Sequence, residues 1–161
     1  MQTRIHMTRR GYESLHEELR RLKSVDRPSV VEEIKVARAH GDLSENAEYH
    51  AAKERQGQLE ARIRQIEDRL ARAEIVETEN LSLDRVRFGT TVVLEDLDSG
   101  EEVIFTLLGE EEADASRGWL SVYSPVGRAL IGKAVDEEVT VRVPAGTRVY
   151  EVREIRRMEL Q

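Results

Sequence analysis

The sequence predicts an α+β fold: an N-terminal antiparallel coiled-coil helical hairpin followed by a small antiparallel-sheet C-terminal domain. Three observations carry this. Apolar residues in the first half recur at steps of three and four, whereas beyond Val86 they cluster in short β-branched runs separated by turn residues. Aromatic residues are 4% of the 161-residue chain and charged residues 35%. That is too little bulky apolar matter for one large core, but enough for narrow helical seams.

The first helix is traced by Tyr12, Leu15, Leu19 and Leu22, and the pattern resumes at Val30, Ile34 and Ala37. Pro28 lies in the gap, so a kink or short break is expected there, with Pro28 in the first turn of the second segment. The next helix is traced by Tyr49, Ala52, Gln56, Leu59, Ile63, Ile66, Leu70 and Ala73, the spacing of a coiled-coil seam. From Glu45 to Glu74 it would extend about 45 Å at the α-helical rise. Only His40 to Ser44 separates the seams, so the helices must be antiparallel neighbours.

These helices place the hairpin in residues 1–76, and the polar, aperiodic segment 77–84 reads as a linker to a β-rich domain at 85–161. Strands are expected at Val86 to Leu94, Val103 to Leu108, Trp119 to Tyr123, Val139 to Val143 and Val149 to Ile155. Asp98-Ser99-Gly100 and Pro144-Ala145-Gly146 supply turns, and Ser124 to Lys133 a loop with a short helical turn.

The formal net charge is −7, which argues against a general nucleic-acid binder. It is unevenly spread. Residues 1–76 hold 15 Lys+Arg against 14 Asp+Glu, leaving 10 against 18 in the remainder. Nucleic-acid contact should therefore be local to the hairpin, and the acidic part should face protein. With no cysteine and no apolar run long enough to span a bilayer, a cytoplasmic protein without a membrane association is expected.

The segment between the helices holds the candidate chemistry. Gly41 stands where a left-handed residue ends a helix, and Asp42 and Glu45 have capping-box spacing ahead of the next. Two readings follow: the acids satisfy orphan amides and the helix dipole, or they are offered to a metal ion. Two carboxylates on an exposed turn are too few ligands for magnesium, so in the second reading they complete a site that another macromolecule holds in part.

The stretch Ala39-His-Gly-Asp-Leu-Ser-Glu-Asn-Ala-Glu-Tyr-His-Ala-Ala52 resembles the tip signature of the Gre family of bacterial transcript-cleavage factors. The likeness continues through Arg27-Pro28, Asp96-Leu-Asp-Ser99, the acidic loop with Asp114, and Ser124-Pro125 followed by Leu130-Ile-Gly-Lys133. It implies an FKBP-like C-terminal domain that docks on bacterial RNA polymerase, and a hairpin that enters the secondary channel. There the tip acids, Asp42 and Glu45 here, would share a magnesium ion with the polymerase and stimulate its own cleavage of the nascent RNA 3′ end in backtracked complexes. The factor itself would not be an enzyme and would bind no cofactor alone. The sparse Asp-x-x-Glu pattern fits the stimulating members rather than the inhibitory ones, which carry denser tip acids.

Arg38, Lys53 and Arg55 are candidates for RNA phosphates, with a solvated helix flank as the alternative. Tyr49 could stack on a base or pack in the seam. Ser124, Pro125, Leu130, Ile131 and Lys133 are candidates for polymerase docking, and a monomer is expected in the free state. The scarcity of aromatics speaks against a prolyl isomerase pocket. A secondary-channel binder or adaptor acting by occupancy alone is the competing function.

Overall fold

In the computed structural model, residues 3–41 and 45–159 are described. They divide into two compact units, one of residues 12–73 and one combining Ile5–Gly11 with Glu74 onward.

In the first unit, helix α1 (Arg9–Arg21) passes through a π-helical turn (Leu22–Asp26) into α2 (Arg27–Arg38). The expected interruption at Pro28 is thus absorbed without leaving helical geometry. Arg27 N–H donates to Leu22 O, five residues back, and Pro28 sits in the first turn of α2 directly after this wider turn. Helix α3 (Ala47–Ala71) returns against α2. Val30, Ile34, Ala52, Leu59 and Ile63 form the seam, with Leu19, Leu22 and Tyr49 against its edges. Burying each isoleucine there is worth about 2–3 kcal/mol. Outside the seam, Arg27 grips Glu60 through two bonds of 2.8 and 2.9 Å, and Arg55 binds Glu33. Partner numbers rise on one helix as they fall on the other, so these pairs report antiparallel register; as surface pairs they add little stability.

In the second unit, strands β1 (Ile5–Thr8) and β2 (Ala73–Val76) form a two-stranded sheet. The sequence reading put residues 5–11 in the hairpin and Ala73 on its seam. Instead, Thr8 N–H donates to the Glu112 carboxylate at 3.1 Å, and the Thr8 hydroxyl accepts from Gly11 N–H at the start of α1. The polar segment after β2 includes a 3-10 turn at Thr78–Asn80 with Thr78 buried.

Five strands follow in the order β5-β4-β3-β7-β6: β3 (Thr90–Asp96), β4 (Glu102–Leu108), β5 (Trp119–Ser121), β6 (Glu138–Val143) and β7 (Gly146–Arg157). All pairings are antiparallel except β4 with β5, which are joined by a crossover of residues 109–118 that includes a 3-10 turn at Ala115–Arg117; helix α4 (Pro125–Leu130) lies between β5 and β6. Val92, Leu94, Leu107, Val139, Val152 and Leu130 of α4 make the core on one sheet face.

The β3–β4 turn is held by Asp96, whose carboxylate accepts from Asp98 N–H at 2.9 Å and Ser99 N–H at 3.2 Å and pairs with Arg148 at 3.3 Å. The backbone bond from Asp98 leads the causes that hold its pKa below the usual aspartate value, against opposing desolvation. A depressed native pKa contributes stability above the unfolded value, about 3.9, and that contribution is lost as pH falls through the native value. Thermal melts of Asp96→Asn should therefore decline less than wild type as pH is lowered below about 4.

Candidate functional site at the hairpin tip

Helix α2 ends in tightening turns, with Ala39 N–H on Val36 O, His40 N–H on Ala37 O and Gly41 N–H on Arg38 O, at 3.1 to 3.3 Å. Gly41 then reverses the chain at φ +108°, a conformation costly for any side chain. On the return, Asn46 is the N-cap of α3. Its side-chain oxygen accepts from Tyr49 N–H at 3.0 Å, and its amide nitrogen donates to Ala37 O at 2.7 Å. One side chain therefore satisfies an orphan donor of α3 and gives a second donor to the Ala37 carbonyl, which already accepts from His40 N–H, so it ties the two helix ends together.

This corrects the capping assignment drawn from sequence. The helix starts at Ala47, five residues beyond Asp42, and its N-cap is Asn46. Asp42 itself lies outside the described residues. Glu45 is exposed in the bend directly before Asn46, and among the described residues no side chain or amide binds its carboxylate. The signal for Asn46 was present: asparagine is among the preferred caps, three residues ahead of the first seam residue.

Of the candidate cations, Arg38 is exposed at the C-terminus of α2, its guanidinium 5.9 Å from the Tyr49 ring centroid. Lys53 is exposed, one helical turn from Gln56, whose amide oxygen it meets at 3.1 Å. Arg55 is committed to Glu33 across the hairpin, a bond that favours register over ligand contact. Tyr49 is half-buried against the seam and edge-on to His50 at 5.6 Å.

In the C-terminal unit, Ser124 caps α4 by accepting from Gly127 N–H at 3.1 Å and donates to Ser121 O at 2.7 Å. Pro125 is exposed in the first helical turn, Ile131 is 40% exposed, and Lys133 is half-buried. Leu130 does not belong with them. It is fully buried against the sheet, so it positions the docking candidates and cannot itself meet a partner.

Among the described residues no group of three or more acidic or histidine side chains could hold a metal ion. The oxygens of Glu45 are hard donors of the kind magnesium takes, and their exposure suits them to fill part of a shell supplied elsewhere.

Comparison with known proteins places this tip in context. Residues 5–75 match the family description "Transcription elongation factor, N-terminal", and residues 80–157 match "Transcription elongation factor, GreA/GreB, C-term". The chain belongs to the GreA/GreB family of transcription elongation factors. It is 54% identical to transcription elongation factor GreA of Desulfotalea psychrophila, over 95% of each chain. It is 53% identical to GreA of Pelobacter propionicus, over 94% of this chain and 96% of that one. Among solved structures, the transcription factor Gfh1 is 30% identical, covering 96% of this chain and 99% of that chain, with a TM-score of 0.48. Among the described residues no helix is long and apolar enough to cross a membrane.

Proposed function

We propose that this elongation factor acts through the hairpin tip, which enters the secondary channel of bacterial RNA polymerase and stimulates the polymerase's own cleavage of the 3′ end of backtracked RNA. The supporting observation is the division of labour at the tip. Asn46 does the capping, which leaves the Glu45 carboxylate exposed and without an intramolecular partner among the described residues. A carboxylate needed for stability would be sequestered; this one is presented.

In this reading Asp42 and Glu45 donate oxygens to a magnesium ion that the polymerase holds in part, and the factor has no turnover alone. When bound there, such an ion would supply one half of a two-metal hydrolysis, in which one ion activates the attacking oxygen and the other steadies the leaving oxygen of the phosphodiester. Arg38 and Lys53 meet the extruded RNA as phosphate-binding cations. Ser124, Pro125, Ile131 and Lys133, carried by α4 and its flanks, contact the polymerase.

The test is a stalled, backtracked complex supplied with magnesium and saturating factor. Asp42→Asn and Glu45→Gln should each slow RNA shortening by at least about tenfold while binding is kept, because the amides retain size and lose the charge that magnesium needs. Full activity of either variant would remove that residue from the site. Unchanged transcript length on wild-type binding would instead favour regulation by occupancy.

A further inference from the structure

Helix α1 begins with a capping box assembled from two distant parts of the chain. Thr8 stands at its N-cap, 1% exposed, and its hydroxyl accepts from Gly11 N–H at 3.0 Å. In the ordinary box an acid three residues after the N-cap reaches back to the N-cap amide. Gly11, at that place, has no side chain to do so. The acid comes instead from Glu112, 104 residues from Thr8: its carboxylate accepts from Thr8 N–H at 3.1 Å and from the Thr8 hydroxyl. The positive end of the helix dipole favours a carboxylate there.

Gly11 is helical and takes no left-handed φ, so its glycine is explained by room and not by conformation. A Cβ on Gly11 would lie 2.3 Å from Glu112 Cδ and 2.6 Å from Oε1, so any side chain would expel the carboxylate. Glycine within a helix costs stability, which the incoming Glu112 offsets. The next two residues are gripped as well. Arg9 pairs with Glu77, and the Arg10 guanidinium lies 4.7 Å from the Trp119 ring centroid.

The segment that carries Glu112 is itself fixed. Glu112 N–H closes a turn on Gly109 O at 3.2 Å, and the backbones of Asp114 and Trp119 bond each other at 2.9 and 3.0 Å, which staples the crossover to β5. The first turn of α1 thus belongs to the second unit, although the same helix runs on without a break to Arg21 in the first. A glutamate at position 11 would cap α1 locally, so helix stability alone does not call for an acid from the crossover. What the distant acid adds is a fixed direction for the turn as it leaves the second unit. Resting on the tip reading above, we propose that Glu112 is a positioning residue for the hairpin: by closing the box from the crossover, it aims the helix that leads to α2 and the tip.

The chain has no cysteine, so spin labels at Gln58→Cys on α3 and Thr140→Cys on β6, both exposed, report the spread of distances between the two units. Glu112→Ala and Gly11→Ala should both broaden that spread, the second even though alanine favours the helix. In the backtracked polymerase complex both should slow cleavage at saturating factor by at least about tenfold with affinity kept, the scale of a misplaced reacting group. Glu112→Gln, which can still accept from Thr8 N–H, should behave as wild type. The deciding variant is Gly11→Glu/Glu112→Ala, which restores the box locally and frees the crossover. It should melt like wild type and stay as broad and as slow as Glu112→Ala. Recovery of narrow distances or of the cleavage rate in that variant would show that Glu112 only caps a helix, and would overturn the proposal. Unchanged distances in Glu112→Ala, or broadened distances with an undiminished rate, would overturn it too. The label distances need no polymerase, so a wild type that shortens no RNA would be recognised as failure of the tip reading, and would remove the role of Glu112 in cleavage even where the distances change as expected.

Discussion

Asn46→Ala is expected to loosen the tip by about 1.5–2 kcal/mol and to depress cleavage stimulation even though Asp42 and Glu45 are untouched. Loss of an N-cap costs about 1 kcal/mol, and loss of the amide bond to the Ala37 carbonyl, which keeps its His40 N–H partner, adds about 0.5–1 kcal/mol. Both bonds belong to the same side chain, so the two helix ends fray together. Asn46→Asp separates the contributions: it keeps the oxygen that accepts from Tyr49 N–H and removes the donor to Ala37 O. Hydrogen exchange at Tyr49 should rise sharply in Asn46→Ala and modestly in Asn46→Asp, with stimulation falling in the same order. Unchanged exchange and full stimulation in Asn46→Ala would show that the presentation of Glu45 does not depend on this cap.

The seam was legible because period determines helical burial: Ala52, Leu59, Ile63 and Ile66 are where their spacing put them. The strands were legible too, since β-branched runs between turn residues have few alternatives. What escaped were features set by partners distant in sequence. Strand β1 is four residues long, and nothing in Ile-His-Met-Thr marks it apart from pairing with residues near 75. The capping assignment went to Asp42 because capping-box spacing is a local pattern, whereas the competing merit of Asn46 lies in a bond to Ala37 on the other helix. Leu130 was misassigned for the same reason. A six-residue helix shows too little periodicity to reveal which side faces the core, and its sequence neighbours Ile131 and Lys133 are accessible.

Gly127→Ala is expected to be the most disruptive single-methyl change in the C-terminal unit, at about 3 kcal/mol or more. A Cβ at this position would lie 2.2 Å from Ser121 O and 3.0 Å from both the Ser124 hydroxyl and Val122 Cα. Two of these obstacles are backbone atoms of the segment running out of β5, so no flexible side chain can swing aside. Overpacking of this kind costs about 1–3 kcal/mol where the surroundings yield. Here yielding means shifting α4, which would strip the Ser124 cap and withdraw Leu130 from the core, and emptying a leucine site costs about 2–5 kcal/mol by itself. Urea unfolding should show the loss in Gly127→Ala and not in the adjacent, exposed Arg128→Ala. On polymerase the two kinds of damage should separate. A displaced α4 moves Ser124, Pro125 and Ile131 together, so Gly127→Ala should weaken binding while leaving the cleavage rate at saturation intact, the reverse of what Glu45→Gln should do. Equal affinity of Gly127→Ala and wild type for polymerase would take α4 out of the docking surface.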